Sequence, residues 1–260
     1  MTDSRSALRT IPRGVWALGF VSLFMDTSSE LIHSLLPVFL VSVLGASMTS
    51  VGLIEGVAEP AALIAKIFSG SLSDYLGRRK ALTVLGYGFA AITKPLFPLA
   101  GSVGMVLTAR FIDRICKGIR GAPRDAMVAD LSPPHLRGAS FGLRQSLDTV
   151  GAFAGPIVAI VAMGLSANDI RAVFWIAVIP ALVSVAILVA FVNEPVRRAD
   201  AGPKHVPLRL ADIKTLSAPT GEWWLSAPSL PSRDSARHSS CYGRAAPASP
   251  SPSSRWCWSL

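Results

Sequence analysis

Residues 70–80 read GSLSDYLGRRK: two glycines, an aspartate and three consecutive cations set between long apolar runs. Gly70 lets a neighbouring backbone come close, and Gly77 permits a tight turn. Asp74 is near enough in sequence to Arg78, Arg79 and Lys80 to form an ion pair or to cap a helix start. A basic loop between oily segments suits the anionic, cytoplasmic face of a bilayer. The loop decides the fold if the runs on either side of it can cross a membrane.

Crossing about 30 Å of hydrocarbon takes roughly 20 apolar residues in a helix. Working outward from the loop, six segments within residues 14–192 meet that standard. They begin with GVWALGFVSLF and end with IRAVFWIAVIPALVSVAILVAFV. The chain has 260 residues, 51% hydrophobic and 16% charged. A soluble domain carries about a quarter charged residues, so this chain is depleted. The expected class is an all-α, polytopic membrane protein.

The formal charge of +9 would suggest a nucleic-acid partner in a soluble protein. In a membrane protein the position of the cations matters more. Arg5, Arg9 and Arg13 precede the first span, and Arg78–Lys80 lie between the second and third. Arg120, Arg124 and Arg137 lie between the fourth and fifth, and Arg197, Arg198 and Lys204 follow the sixth. The opposite loops carry no cation near Gly45–Thr49 and Gly101–Ser102, and a single one near Ser166–Arg171. This asymmetry predicts a cytoplasmic N-terminus (1–13), a six-span domain (14–192) and a cytoplasmic linker (193–217). The first apolar run is too long and too acidic inside for a signal peptide. The stretch APRDAMVADLSPPHLRGAS, 122–140, reads as a cytoplasmic loop with a short amphipathic piece.

From residue 218 the composition turns to Ser, Pro, Ala and Arg with four tryptophans and no periodicity. A disordered tail is one reading. A slipped reading frame is the favoured one. Moved back by one base, Trp223–Trp224 must encode Val, and Trp256–Cys257–Trp258 must encode Val and Leu. Ordinary codon choices then turn residues 222–243 into a seventh apolar helix.

The Gly70-x-x-x-Asp74-x-x-Gly77-Arg78-Arg79 spacing, lying between the second and third spans, resembles the signature loop of the major facilitator superfamily. Tyr75 departs from it, standing where that family commonly has a basic residue. The resemblance covers residues 14 to about 215, the N-terminal six-helix half of a family built from two such halves. It implies two three-helix repeats, with the first, second, fourth and fifth helices lining a route and the third and sixth packed outside. GAFAGP, Gly151–Pro156, resembles the Gly-x-x-x-Gly-Pro element of that family's proton-coupled antiporters. Physically, Gly151 and Gly155 make a small-residue packing face and Pro156 a bend, which ordinary packing would also explain.

Intramembrane charges are costly and mark a pathway or a buried pair. Asp26, Glu30 and His33 share one face of the first span, and Glu55 and Glu59 one face of the second. Arg110, Asp113, Arg114 and Lys117 align on the fourth, Arg144 and Asp148 lie on the fifth, and the sixth has no charge from Ala172 to Val192. Asp26 and Glu30 are candidate proton carriers, and Arg110 and Arg114 candidate substrate-anion or charge-pair partners. The alternative for all four is a set of bridges that lock helices together. Asp113, Lys117, Arg144 and Asp148 are read as structural charges. By resemblance, Asp74, Arg78, Arg79, Arg124 and Asp125 form a cytoplasmic latch, made in one conformation and broken in the other.

Cys116, Cys241 and Cys257 show neither metal spacing nor a disulfide framework. No Walker loop, zinc spacing or Ser-His-Asp arrangement is recognisable, so an ATP-driven pump and an enzyme are disfavoured, and no cofactor or metal is expected. The expectation is secondary transport of a small solute with protons, export favoured over uptake, in the inner or plasma membrane. The chain is expected to be inactive without a missing C-terminal half or a second copy. A non-transporting receptor or assembly protein is the alternative.

Overall fold

A computed structural model describes residues 10–194. The linker and tail expectations, with the reading-frame question at 218–260 and the N-terminal Arg5 and Arg9, lie outside the described residues.

Six long helices follow one another: α1 Arg13–Val38, α2 Met48–Leu76, α3 Arg79–Thr93, α4 Val103–Leu131, α5 Arg137–Leu165 and α6 Ile170–Phe191. A π-helical turn, Phe39–Val43, prolongs α1. Pro95 has no N–H to continue the α ladder, and α3 passes into a 3-10 turn at Lys94–Leu96. Pro37, Pro60, Pro123, Pro156 and Pro180 lie inside helices.

The loop before α5 is shorter than expected. Ala122–Leu131 continues α4, which leaves Ser132–Leu136 as the connection. Side chains on both sides hold this extra length: Arg124 donates to Ser22 Oγ at 2.9 Å, and Arg79 donates to the Ala126 carbonyl at 3.3 Å and to Asp130.

Three helices, Arg13–Val43, Pro134–Leu165 and Ile170–Phe191, are long and apolar enough by themselves to cross a membrane. Helices α2 and α4 pack on one another and turn their charges inward between them, so their composition understates their place in the bundle.

The packing repeats. Helix α1 packs on α5 and α6, and α4 packs on α2 and α3. Exchanging α1–α3 with α4–α6 turns each of these pairs into another, as two three-helix repeats require. Ser47 caps α2, Ser102 caps α4 and Asp169 caps α6, each side chain accepting a backbone N–H of the first turn. These three caps lie at one end of the bundle, where Arg171 also donates to the carbonyls of Pro98 and Ala100. At the other end Lys80 donates to the Val189 carbonyl.

Two apolar clusters fill the interior. One gathers Leu31–Leu40 of α1, Val106 and Ala109 of α4, and Val173–Ala177 of α6. The other gathers Val15–Met25, Met127 and Val128, and Ala181–Leu188 from the same three helices. Asp26–Glu30 on α1 and Arg110–Arg114 on α4 fall between them, so the charges form a layer at mid-depth.

Candidate functional site: a layer of ion pairs across the bundle

The layer is built from helix spacing. On α4, positions 110, 113, 114, 117, 120 and 124 fall on one side of the helix. Arg110, Asp113, Arg114 and Arg120 are each at most 3% exposed. Buried ions are tolerated only where partners replace their water, and partners arrive from α2 and from α3 with the turn that follows it.

From α2, Glu55 accepts from Arg110 at 2.7 Å and Glu59 from Arg114 at 2.9 Å. From α1, His33 lies 3.3 Å from Glu30 and 3.4 Å from Glu55, so it joins the two helices instead of standing alone. From the end of α3, Lys94, 1% exposed, donates to Asp113 Oδ1 and to Ser29 Oγ, both at 2.9 Å. Arg120 places its guanidinium 4.9 Å from the centre of the Tyr87 ring. A Cβ on Gly86 would sit 2.8 Å from the Arg120 Cβ, so the bare glycine lets that side chain lie against α3.

Arg110 and Arg114 are thus occupied by Glu55 and Glu59 and present no free guanidinium pair to a substrate anion in this conformation. Asp113 is a buried charge partner, held by Lys94 and by Arg114 at 3.6 Å. Lys117 differs from its expected role: among the described residues it makes no ion pair within 4 Å, and it faces Asp26 and Glu30 at longer range.

A second group lies toward the signature loop. Arg124 approaches Asp125 at 3.3 Å and Asp148 at 3.6 Å, and it donates to Tyr87 Oη at 3.4 Å. Arg144 approaches Asp125 at 3.6 Å and Asp148 at 3.9 Å. Lys66 reaches Asp125, 3.9 Å away, from α2.

The signature loop itself is a two-residue turn. Gly77 takes a left-handed φ of 65° and its N–H closes on the Ser73 carbonyl at 3.0 Å, a conformation that favours glycine. Gly70 faces Ala122, which a Cβ would meet at 3.3 Å. Arg79 makes the ion pair with Asp74, at 3.0 Å, and another with Asp130. The expected latch is therefore two separate networks. Asp74 and Arg79 close on Asp130, while Arg124 and Asp125 belong with Arg144 and Asp148; Arg78 only precedes α3. Helix geometry explains the split, because Asp130 lies at the loop end of the longer α4 and Arg124 nearly two turns further in.

The sequence singled out most of these charges. It passed over Lys94, Ser29, Arg120, Tyr87 and Asp130 as site members. Lys94 did carry a signal, being the only charge between Ala81 and Val103. Among the described residues no group of three or more His, Cys, Asp or Glu is placed to hold a metal ion.

A bundle of two three-helix repeats, with paired acidic and basic side chains at mid-depth and an apolar exterior, fits a multi-pass membrane protein. The family model described as Major Facilitator Superfamily matches residues 18–231. The chain belongs to that superfamily. An uncharacterized MFS-type transporter of Methanocaldococcus jannaschii is 39% identical over 148 residues, 56% of this chain and 36% of the relative. The quinolone resistance protein NorA of Staphylococcus aureus is 24% identical over 142 residues, 55% of this chain and 36% of NorA. The crystal structure of the human organic anion transporter MFSD10 superposes with a TM-score of 0.62 at 20% identity, over 80% of this chain and 53% of that one. That last likeness carries the fold alone. The chain spans only part of each, from 36% to 53% of their lengths.

Proposed function

We propose that this chain supplies one six-helix half of a secondary active transporter that moves a small solute by alternating access, driven by protons. The observation that carries the reading is the chain of ion pairs through His33, Glu55, Arg110, Glu59 and Arg114 inside an apolar bundle. Such groups are expensive in hydrocarbon and persist where they serve a path or a proton relay. Rocking one half against another about a midplane site is how such a layer would be exposed to each side in turn.

Export of a drug-like or metabolite solute is favoured over uptake. The Gly151–Gly155–Pro156 element and the similarity to a quinolone resistance protein support that choice. The cation asymmetry of the loops supports a cytoplasmic N-terminus in an inner or plasma membrane. Arg79, with Asp74 and Asp130, is the latch of one conformation. Protons, the solute and the bilayer are the partners, and a second six-helix half or a second copy completes the path.

The test is proton movement in liposomes under an imposed pH gradient, with a panel of lipophilic cations and organic anions added. The chain alone should move none. A gene restored in the alternative frame beyond residue 218 should move protons with one class of solute and lose this in Asp26→Asn. Coupled flux by the chain alone would overturn the half-transporter reading. No flux in any assay of the restored, correctly inserted protein would instead favour a receptor or assembly role.

A further inference from the structure

On the signature-loop side of the ion layer, α1, α3 and α4 bring hydrogen-bond donors together without an acceptor. Arg120 of α4 is 2% exposed, and its guanidinium rests on the face of Tyr87, 4.9 Å from the ring centre. Among the described residues it makes no hydrogen bond and no ion pair within 4 Å, and its Nη1 is sealed from solvent. A guanidinium carries five N–H donors. The ring face offsets part of the hydration that Arg120 gives up. It supplies no countercharge.

One turn further along α4, Arg124 Nη1 donates to Ser22 Oγ of α1 at 2.9 Å and to Tyr87 Oη of α3 at 3.4 Å. Both hydroxyl oxygens act there as acceptors, so each keeps its own hydrogen to donate. Neither hydrogen meets an acceptor among the described residues. Ser22 is 1% exposed and Tyr87 0%, so bulk water does not serve them. The two hydroxyls touch the same nitrogen and are near neighbours. Tyr87 joins the arrangement together, its ring on Arg120 and its oxygen on Arg124.

The carboxylates of this region do not meet the demand. Asp125 and Asp148 approach Arg124 at 3.3 and 3.6 Å but take no hydrogen bond from Ser22, Tyr87 or Arg120. Asp26, one turn beyond Ser22, and Asp113, nearly two turns before Arg120, both stay more than 4 Å from the Arg120 guanidinium. Lys117, one turn before Arg120 on the same side of α4, adds positive charge. A buried donor without an acceptor costs the full loss of its hydration, and a buried cation without a partner costs more. A water molecule could accept from two of these donors yet would leave the cation uncompensated. A small anion answers both needs.

We propose that Arg120, Tyr87 and Ser22, with Arg124 behind the two hydroxyls, form a binding site for a small monovalent anion such as chloride. The ion accepts from the guanidinium and both hydroxyls and ties α1, α3 and α4 to one another. The site lies wholly within this six-helix bundle and does not depend on the transport reading above.

The test is thermal unfolding of the purified 260-residue chain in detergent, with sodium chloride replaced stepwise by sodium gluconate at constant ionic strength. Chloride should raise the unfolding midpoint saturably, by about 2–4 °C, and bromide should do the same. The gain should vanish in Arg120→Gln and shrink in Tyr87→Phe, which keeps the ring and removes only the hydroxyl. It should persist in Arg79→Gln, whose ion pairs lie at the loop. A midpoint indifferent to the identity of the anion would overturn the proposal and leave water as the acceptor. An undiminished chloride effect in Tyr87→Phe, or its loss in Arg79→Gln, would also overturn it. If Arg120→Gln fails to fold, the wild-type anion series and Tyr87→Phe still decide.

Discussion

Helices α4 and α6 both lie in the bundle, yet α4 carries eight charged side chains and α6 only Arg171, in its first turn. The difference lies in what each meets. The inner side of α4 faces α2 and the end of α3, both of which bring opposite charges to it. Helix α6 turns Val173, Phe174, Ala177 and Ala181 into apolar clusters and exposes Trp175, Ile179 and Leu182. Buried charge is kept where another helix replaces the lost water. Composition therefore separates the helices that meet at the ion layer from one that only encloses it.

The sharpest way to break this contrast is the most buried pair. Asp113→Leu leaves Lys94 charged against Ser29 alone and should cost about 3–5 kcal/mol of stability in detergent unfolding. The double variant Lys94→Met/Asp113→Leu should recover most of that loss. Equal losses in the single and double variants would show that the pair does not act as a unit. Next comes the α1–α5 crossing, where Gly155→Val must push against Glu30 and Leu31 and should cost about 1–3 kcal/mol. A smaller change is expected at the loop end. Arg79→Gln removes two half-exposed pairs, each worth about 0–1 kcal/mol, so unfolding should barely move even if the conformational balance does. Smallest of all, Ile179→Leu on the exposed face of α6 should change stability by less than about 0.5 kcal/mol.

What the chain disclosed in advance follows the same division. Six helices and their order were legible because a bilayer demands long apolar runs, and the turn at Gly77 was legible because a tight connection needs glycine. The participants Glu55, Arg110, Glu59 and Arg114 were legible from helical spacing, since charges three and four apart share a face. Their pairing was not. Whether Arg110 faces Glu55 or a solute depends on how α2 sits against α4, and spacing within one helix carries no information about another. The same gap hid Lys94, which stands alone in its own segment and finds Asp113 only in three dimensions. It also divided the latch, because the true length of α4 separates Arg124 from Asp130. Pro123 looked like the start of a loop, whereas side chains from α1 and α3 hold the helix through it.

The proposed path requires that the ion layer be reached from water along α2 and that the outer face of α6 meet lipid. Gly56 on α2 lies one turn before Glu59 on the same side of the helix, and a side chain there meets nothing within 4 Å. The decisive measurement is labelling of Gly56→Cys and Ile179→Cys by a membrane-impermeant thiol reagent, each in a chain with Cys116→Ala, Cys241→Ser and Cys257→Ser. The account predicts rapid labelling at position 56 and none at 179. Equal protection of both would mean that the charges are sealed struts and not the wall of a path.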